Sequence, residues 1–525
     1  MKYDVVIVGG GAAGSVIASR LAEDPNTSVL VLEAGPDYPN PEFLPDEIKF
    51  GGTRYAEAPD SEHNWALRGT ITEEQGEIHV AQGHVIGGGS SINGQAMQRG
   101  FPEDFDSWSA MGNDEWSYDK VLPFFRKSET DMDIKDDFHG TDGPMPVRRR
   151  QTGTWPDIQK AFHEAVLAAG YGDVEDTNGP NPAGIGVSPS NNLDGLRMSA
   201  AMTYLNPVRH CLNLTVRGNV SVRKVLIEGG KAVGVEAESG SEVFTIEAGK
   251  VVLSSGAIRS PQLLMLSGIG QKAQLEKFGI PVIKDSPGVG DHLWNHLSAQ
   301  VTFKVKDGKT VVGDNDDAIH FSLHYTADGS SEANDMVLRT NSVVDEREEK
   351  VRGVRTKYIT GAVDPEQCAR IMCTLGLPDG SGYVRLASAD PGEQPEFNYQ
   401  YLKNENDARR VRDGVRMAVK VLESDAYNDV MDYRIAPTDD ILANDESLDK
   451  WIRETVGTAR HVSGTCRMGP DSDPTAVVDQ TCRVKGVEQL WVVDASIMPR
   501  VPRSGGSHAT VLMIAERAVG WIAEG

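Results

Sequence analysis

Six residues near the start of the chain, Gly9-Gly10-Gly11-Ala12-Ala13-Gly14, fit the pattern GxGxxG. In such a loop one glycine makes a tight turn, another lets the backbone approach a pyrophosphate, and the third lets helix and strand pack closely. The helix that begins near Ala12 would turn unpaired N–H groups and its positive dipole end toward the phosphates. Glu33 follows Gly14 by 19 residues, at the end of a second apolar run. A carboxylate there accepts from ribose hydroxyls and disfavours a 2′-phosphate. These residues predict a bound dinucleotide other than NADP and leave FAD and NAD both open.

Other reactive groups carry less. His292…His296 and His320…His324 have the i, i+4 spacing of a helical metal pair, but neither includes the glutamate of HExxH, so no metal is expected. There is no GxSxG elbow, and Ser90 and Ser91 sit in a glycine-rich knot, which disfavours a serine hydrolase. Five cysteines (Cys211, Cys368, Cys373, Cys466, Cys482) form no CxxC pair. That count supports neither a zinc ribbon nor a disulfide framework and fits reduced thiols in a cytoplasmic compartment. Cys466 reads as buried packing.

The elements that must position these groups are partly readable. Val5–Val8 is β-branched and continuous, as in a central parallel strand; Ala12–Ala22 reads as helix and Val29–Leu32 as the next strand. Residues 36–146 look loop-rich, Leu214–Leu253 alternates short β-type segments with turns, and 300–350 looks polar and irregular. The charge runs Asp314-Asn315-Asp316-Asp317 and Asp345-Glu346-Arg347-Glu348-Glu349-Lys350 read as solvated loops. Leu490–Val493 reads as a strand and Val511–Ile522 as a terminal helix. A length of 525 residues predicts two structural units. The net charge of −25 argues against nucleic acid or an anionic membrane as partner, and no apolar run is long enough to span a bilayer. The strand reading from Tyr3 leaves no room for a signal peptide.

Later segments bring in a resemblance. Gly83-His84-Val85-Ile86-Gly87-Gly88-Gly89-Ser90-Ser91-Ile92-Asn93-Gly94 and the stretch from Gly256 to Gly270 resemble the two signatures of the glucose-methanol-choline oxidoreductases. Gly288–His296, His461-Val462-Ser463-Gly464-Thr465-Cys466-Arg467-Met468-Gly469 and Asp494–Pro499 are similar to three further segments of that family, in family order. The resemblance implies a mixed α/β (α+β) protein with a Rossmann-like FAD-binding domain and a substrate domain on an antiparallel β-sheet. The FAD domain would comprise 1–150, 196–297 and 456–525, and the substrate domain 151–195 and 298–455. FAD contacts would fall on Gly9, Gly11, Ala12, Ala13, Gly14, Glu33 and Ala34, then on Gly87, Gly88, Ser90, Asn93 and Gly94. Val222 would contribute its backbone, and Asp494, Ala495, Ala509 and Thr510 would complete the set. Ile92 stands where some members attach flavin to histidine, which implies non-covalent FAD.

Catalysis is assigned by the same resemblance. His461 matches the catalytic histidine, and His508 the position usually held by asparagine or histidine. Imidazole titrates near working pH and so suits removal of a hydroxyl proton, while the flavin accepts hydride. The implied reaction is oxidation of a primary alcohol to the aldehyde, with O2 or another acceptor such as a quinone taking the electrons. The segment Arg99–Trp108 is similar to bacterial aryl-alcohol and hydroxymethylfurfural oxidase-like members, which points to an aromatic or furanic alcohol. A hydroxynitrile-lyase-like activity is the alternative from another reaction class.

Overall fold

A computed structural model describes residues 2–52, 55–150, 155–311, 321–342, 363 and 367–525. His320 and both charge runs named above lie outside the described residues.

Val5, Val6, Ile7 and Val8 are buried on both faces because their strand, Lys2–Val8, is interior to a seven-stranded sheet. Val29–Leu32 and Glu242–Leu253 pair with it in parallel on either side. Leu214–Arg217 extends the sheet beyond Val29–Leu32, and Leu490–Val492 runs parallel to the end of Glu242–Leu253. The first half of that 12-residue strand instead joins Lys231–Ser239 and Ser221–Glu228 in an antiparallel ribbon. The sheet is therefore assembled from three separated stretches of chain. Helix Ala12–Leu21 packs on the closing helix, His508–Glu524. Between them Glu516, buried, receives Arg20 at 2.7 Å and the Tyr204 hydroxyl at 3.0 Å.

The second sheet has eight strands, antiparallel throughout its centre. Met431–Ala436, Leu297–Val305, Cys368–Leu375, Met336–Ser342, Phe321–Tyr325 and Gly184–Val187 follow one another across it. The period of two along a strand gives its faces opposite character. Phe303, Val301, Ile371, Cys373 and Leu338 lie on one face, which the helix Glu405–Leu422 covers through Val411, Val415 and Ala418. The other face carries Ser298 opposite Thr374, and Met372 between Gln300 and Arg339.

Two readings of the sequence are corrected here. Residues 36–146 include the helices Pro102–Ala110 and Tyr118–Ser128, and 300–350 includes three strands of the second sheet. The closing helix begins at His508, three residues before the apolar pattern that announced it.

A buried ionic cluster fixes the turn between Glu129–Asp131 and Met145–Val147. His139 Nδ1 lies 3.2 Å from Glu129 and 3.1 Å from Asp131, and its Nε2 lies 2.9 Å from Asp176. Burial opposes the charge on this ring, but the hydrogen bonds to Asp131, Asp176 and Glu129 outweigh it and raise its pKa to about 10. Arg149 binds Asp131 and Asp176, and Arg99 binds Glu129. Glu129, Asp131 and His139 are close enough to hold a cation. Three cations nevertheless already pair with Glu129, Asp131 and Asp176, while the more exposed Asp136 lies 4.0 Å from His139 Nε2, so the buried carboxylates have partners without a metal. Replacing His139 by leucine removes one of the cations and leaves the buried carboxylates in excess over Arg99 and Arg149, which should cost about 3–5 kcal/mol in urea unfolding. The stabilisation from this ring is complete below its ordinary pKa of 6.5 and fades as pH rises through about 10. Chelators should leave the unfolding midpoint unchanged.

Candidate active site

The two sheets enclose a cavity of about 700 Å³. Of the residues expected at the cofactor, Gly9, Gly11, Ala12, Ala13, Glu33 and Ala34 line it, as do Gly88, Ser90, Asn93 and Gly94. Val222, Asp494 and Ala495 line it as well, and so do His461 and His508. Four expected residues are set behind the wall. A Cβ at Gly14 would lie 2.0 Å from the Gly9 carbonyl oxygen, so this glycine serves helix–strand packing. Gly87 turns the chain with φ +90 and donates its N–H to the Gly10 carbonyl. Ala509 and Thr510 are buried in the first turn of the closing helix, facing its neighbours.

The nucleotide end of the cavity is a cradle of backbone. A Cβ at Gly88 would come within 2.8 Å of Gly11 Cα, so the two glycine loops touch. A Cβ at Gly89 would meet no atom within 4 Å, which leaves open space above the loop. Glu33 accepts from the N–H groups of Gly10 and Gly35 at 2.9 Å each, and its burial pushes the carboxyl up to about 7. Hydroxyl donors from a ribose would favour its ionised form. Asp494 accepts from Gly256 N, Ser260 Oγ and Ser496 N while bordering the cavity. It thus caps the helix Gly256–Leu266 and the turn Ala495–Ile497, and that helix aims a second N-terminus at the cradle. Ile92 presents only hydrocarbon to the cavity, so it forms no covalent link to flavin. Backbone donors, small residues and a buried acid suit FAD as the group held here.

The histidines stand at the other end. His461 N donates to Asn295 Oδ1 at 2.7 Å, and His461 Nδ1 lies 2.9 Å from His296 Nδ1. The remaining nitrogen of His296, Nε2, lies 3.0 Å from the Pro502 carbonyl. A carbonyl only accepts, so His296 Nε2 carries the proton and donates it there. Burial, and then the charge of Arg339, lower the His296 pKa to about 4, so its Nδ1 holds a lone pair. That lone pair accepts from His461 Nδ1–H. The lone pair of His461 is consequently on Nε2, which has no hydrogen-bond partner among the described residues. Burial, followed by the influence of His296, Arg339 and Arg460, holds His461 well below the usual imidazole range. His508 opens the closing helix; its Nε2 is buried without a partner among the described residues, and burial lowers its pKa to about 4. Asn93 Nδ2 lies 3.5 Å from His508 Nδ1, too far for a strong bond.

His296 and Asn295 were not singled out as site residues, although their segment was. The i, i+4 spacing drew attention to a metal pair instead. His292–His296 is not helical, and His324 lies on the strand Phe321–Tyr325, while His320 is outside the described residues. His324 Nε2 stands 3.3 Å from Gln98 Nε2. The cysteines form no disulfide, and burial raises the Cys466 thiol well above its ordinary value, as suits packing.

The family models described as GMC oxidoreductase match residues 3–298 and 378–515. A GMC-type oxidoreductase of Rhodococcus erythropolis is 35% identical over 98% of this chain and 97% of its own length. An oxygen-dependent choline dehydrogenase of Photobacterium profundum is 33% identical over 98% of this chain and 92% of its own. The crystal structure of pyridoxine 4-oxidase from Mesorbium loti is similar throughout, with a TM-score of 0.90, 29% identity and coverage of 100% and 99%. The chain belongs to the glucose-methanol-choline family of FAD-dependent alcohol oxidoreductases.

Proposed function

We propose that this enzyme oxidises a primary alcohol to the aldehyde, with His461 as the base for the hydroxyl proton and His508 as its partner at the substrate oxygen. The observation that carries this reading is that both imidazoles line one cavity with the glycine cradle, and that neither Nε2 has a hydrogen-bond partner among the described residues. Bound FAD supplies a hydride acceptor at flavin N5, and O2 or a quinone then takes the electrons. The alcohol gives up a hydride from carbon and a proton from oxygen, and His461 Nε2 receives the proton. His508, neutral, shares the substrate oxygen with His461 and holds it in line. The unbonded amides of the first helical turn at His508 add positive potential beside the place where negative charge grows on reduction.

His296 acts as a positioning residue. Its two hydrogen bonds dictate which nitrogen of His461 is basic. Sequence similarity favours an aromatic or furanic alcohol. The strands of the second sheet, however, line the cavity with Ser298, Gln300, Asn341 and Thr374 and with no aromatic ring, which favours an alcohol rich in hydrogen-bonding groups. The buried thiols suit a cytoplasmic setting, and among the described residues no helix is long and apolar enough to cross a membrane.

Three outcomes test these roles. His461→Ala should retain FAD and slow anaerobic flavin reduction by about 10²–10⁴-fold, the usual share of a general base. Unchanged reduction by the variant would remove His461 from the mechanism. The lowered pKa of His461 keeps it unprotonated, so the reduction rate should stay level as pH falls through 6.5 and drop only below that. His296→Leu should lower the reduction rate by roughly tenfold or more and change its pH profile, because His461 is then free to place its proton on either nitrogen. His296→Gln, whose amide can both donate to Pro502 and accept from His461, should restore most of the loss.

A further inference from the structure

Arg339 is a buried cation whose hydrogen bonds all go to neutral groups. It projects from the strand Met336–Ser342 on the cavity face of the second sheet, next to Met372 in register. Its Nε donates to Ser322 Oγ at 2.9 Å and its Nη1 to the Gly505 carbonyl at 3.0 Å. Its Nη2 donates to the Ser504 carbonyl at 2.7 Å and also to Gln98 Oε1. The second Nη1 hydrogen has no acceptor among the described residues. Among the described residues no carboxylate pairs with it, in contrast to Arg99, Arg149, Arg410 and Arg503, each of which meets an acid. Burial lowers the pKa of Arg339 only to about 10, so the side chain stays charged at neutral pH.

A fully buried charge is costly unless an opposite charge comes to it. Among the described residues none does, and the cavity is where one could enter. The surroundings agree in chemistry. Arg370, on the adjacent strand, also lines the cavity and donates to Asn341 Oδ1 and Gln300 Oε1. Arg460, which precedes the catalytic His461, lines it too and binds Glu57. The negative charge of reduced flavin arises only after hydride transfer and does not balance Arg339 in the resting enzyme. A quaternary ammonium alcohol would be driven away by it.

We propose that the alcohol accepted by this cavity carries a carboxylate and that Arg339 is the specificity residue that receives it. This rests on the alcohol-oxidising reading of the site and names its substrate class. The carboxylate takes no part in the redox step; it offers acceptors to the guanidinium while the hydroxyl lies at His461. Because Arg339 also holds the Ser504 and Gly505 carbonyls, a bound carboxylate and the loop leading to His508 share one anchor.

The test uses the holoenzyme and matched probes. Anaerobic flavin reduction is measured with 4-(hydroxymethyl)benzoate, its methyl ester and the para-trimethylammonium benzyl alcohol, and with 3-hydroxypropionate, its methyl ester and choline. Each acid should be preferred over its ester in kcat/KM by at least about tenfold, as for a charge-assisted contact, with the cations slowest. Arg339→Lys should keep the preference, while Arg339→Met should abolish it, so that acid and ester then reduce the flavin with similar kcat/KM whatever loss they share. FAD absorbance verifies that the variants are loaded. Should Arg339→Met not fold, the wild-type comparison of acid with ester decides alone. Esters that match or beat their acids, or an Arg339→Met enzyme that retains the preference and differs only in flavin potential, would overturn the proposal. Neutral alcohols that bleach the flavin while acids do not would sink the charge assignment and spare the oxidation. If no alcohol bleaches it, the oxidation itself fails. The charge assignment is then judged by whether benzoate perturbs the oxidised flavin spectrum at lower concentration than benzamide.

Discussion

The hydrogen bond from His461 to His296 can exist only while His296 is neutral, because a His296 imidazolium would have no lone pair to accept it. Burial enforces that neutrality, with the positive charge of Arg339 nearby acting in the same direction. From this one contact follow the tautomer of His461, the basic nitrogen in the cavity, and the dependence of both on a single carbonyl at Pro502. The site is therefore set by a chain of neutral hydrogen bonds, and a carboxylate orienting the base is not part of it. An acid beside His296 would raise the ring's pKa and fill the lone pair on which the arrangement turns.

The chain is built to bring that contact against a nucleotide cradle. Asn295 and His296 directly precede the strand Leu297–Val305, Pro502 comes from the loop ahead of the closing helix, and His461 follows Gly457–Thr458, which pairs with Leu297–Ser298. The second sheet thus fixes the rings, while the first sheet fixes the glycine loops. The polar face of the second sheet then forms one large wall of the cavity, and its composition bears on what the cavity favours.

What the sequence made legible was whatever is set by local backbone. The loop Gly9–Gly14, the strands around it and the acid at Glu33 each follow from glycine sterics and β-branched runs, and they fold as read. The antiparallel strands within 300–350 were not legible, for a physical reason. Their alternate positions carry Arg339 and Asn341 because that face meets a ligand cavity, so the usual apolar-out-of-two signal is diluted. The start of the closing helix was misplaced for a similar reason: His508, Ala509 and Thr510 open it at the cavity, where polar and small residues interrupt the amphipathic pattern. His296 was hidden by its spacing from His292, since a pair that is informative on a helix says nothing on irregular chain. Asp494 shows the reverse case, a residue expected among the FAD contacts that also caps two elements.

The contact of Arg20 and Tyr204 with Glu516 has a consequence for how the enzyme is made. A growing polypeptide leaves the ribosome with its first βαβ unit long before residue 516 exists, and the partner surface of the helix Ala12–Leu21 stays bare until then. Domains tend to form as units during synthesis, amino end first, and incomplete ones expose apolar surface. The nucleotide half of this enzyme cannot follow that schedule. Its cofactor can lodge securely only after translation is nearly finished, which makes a supply of free flavin and protection of the half-made sheet part of its biogenesis.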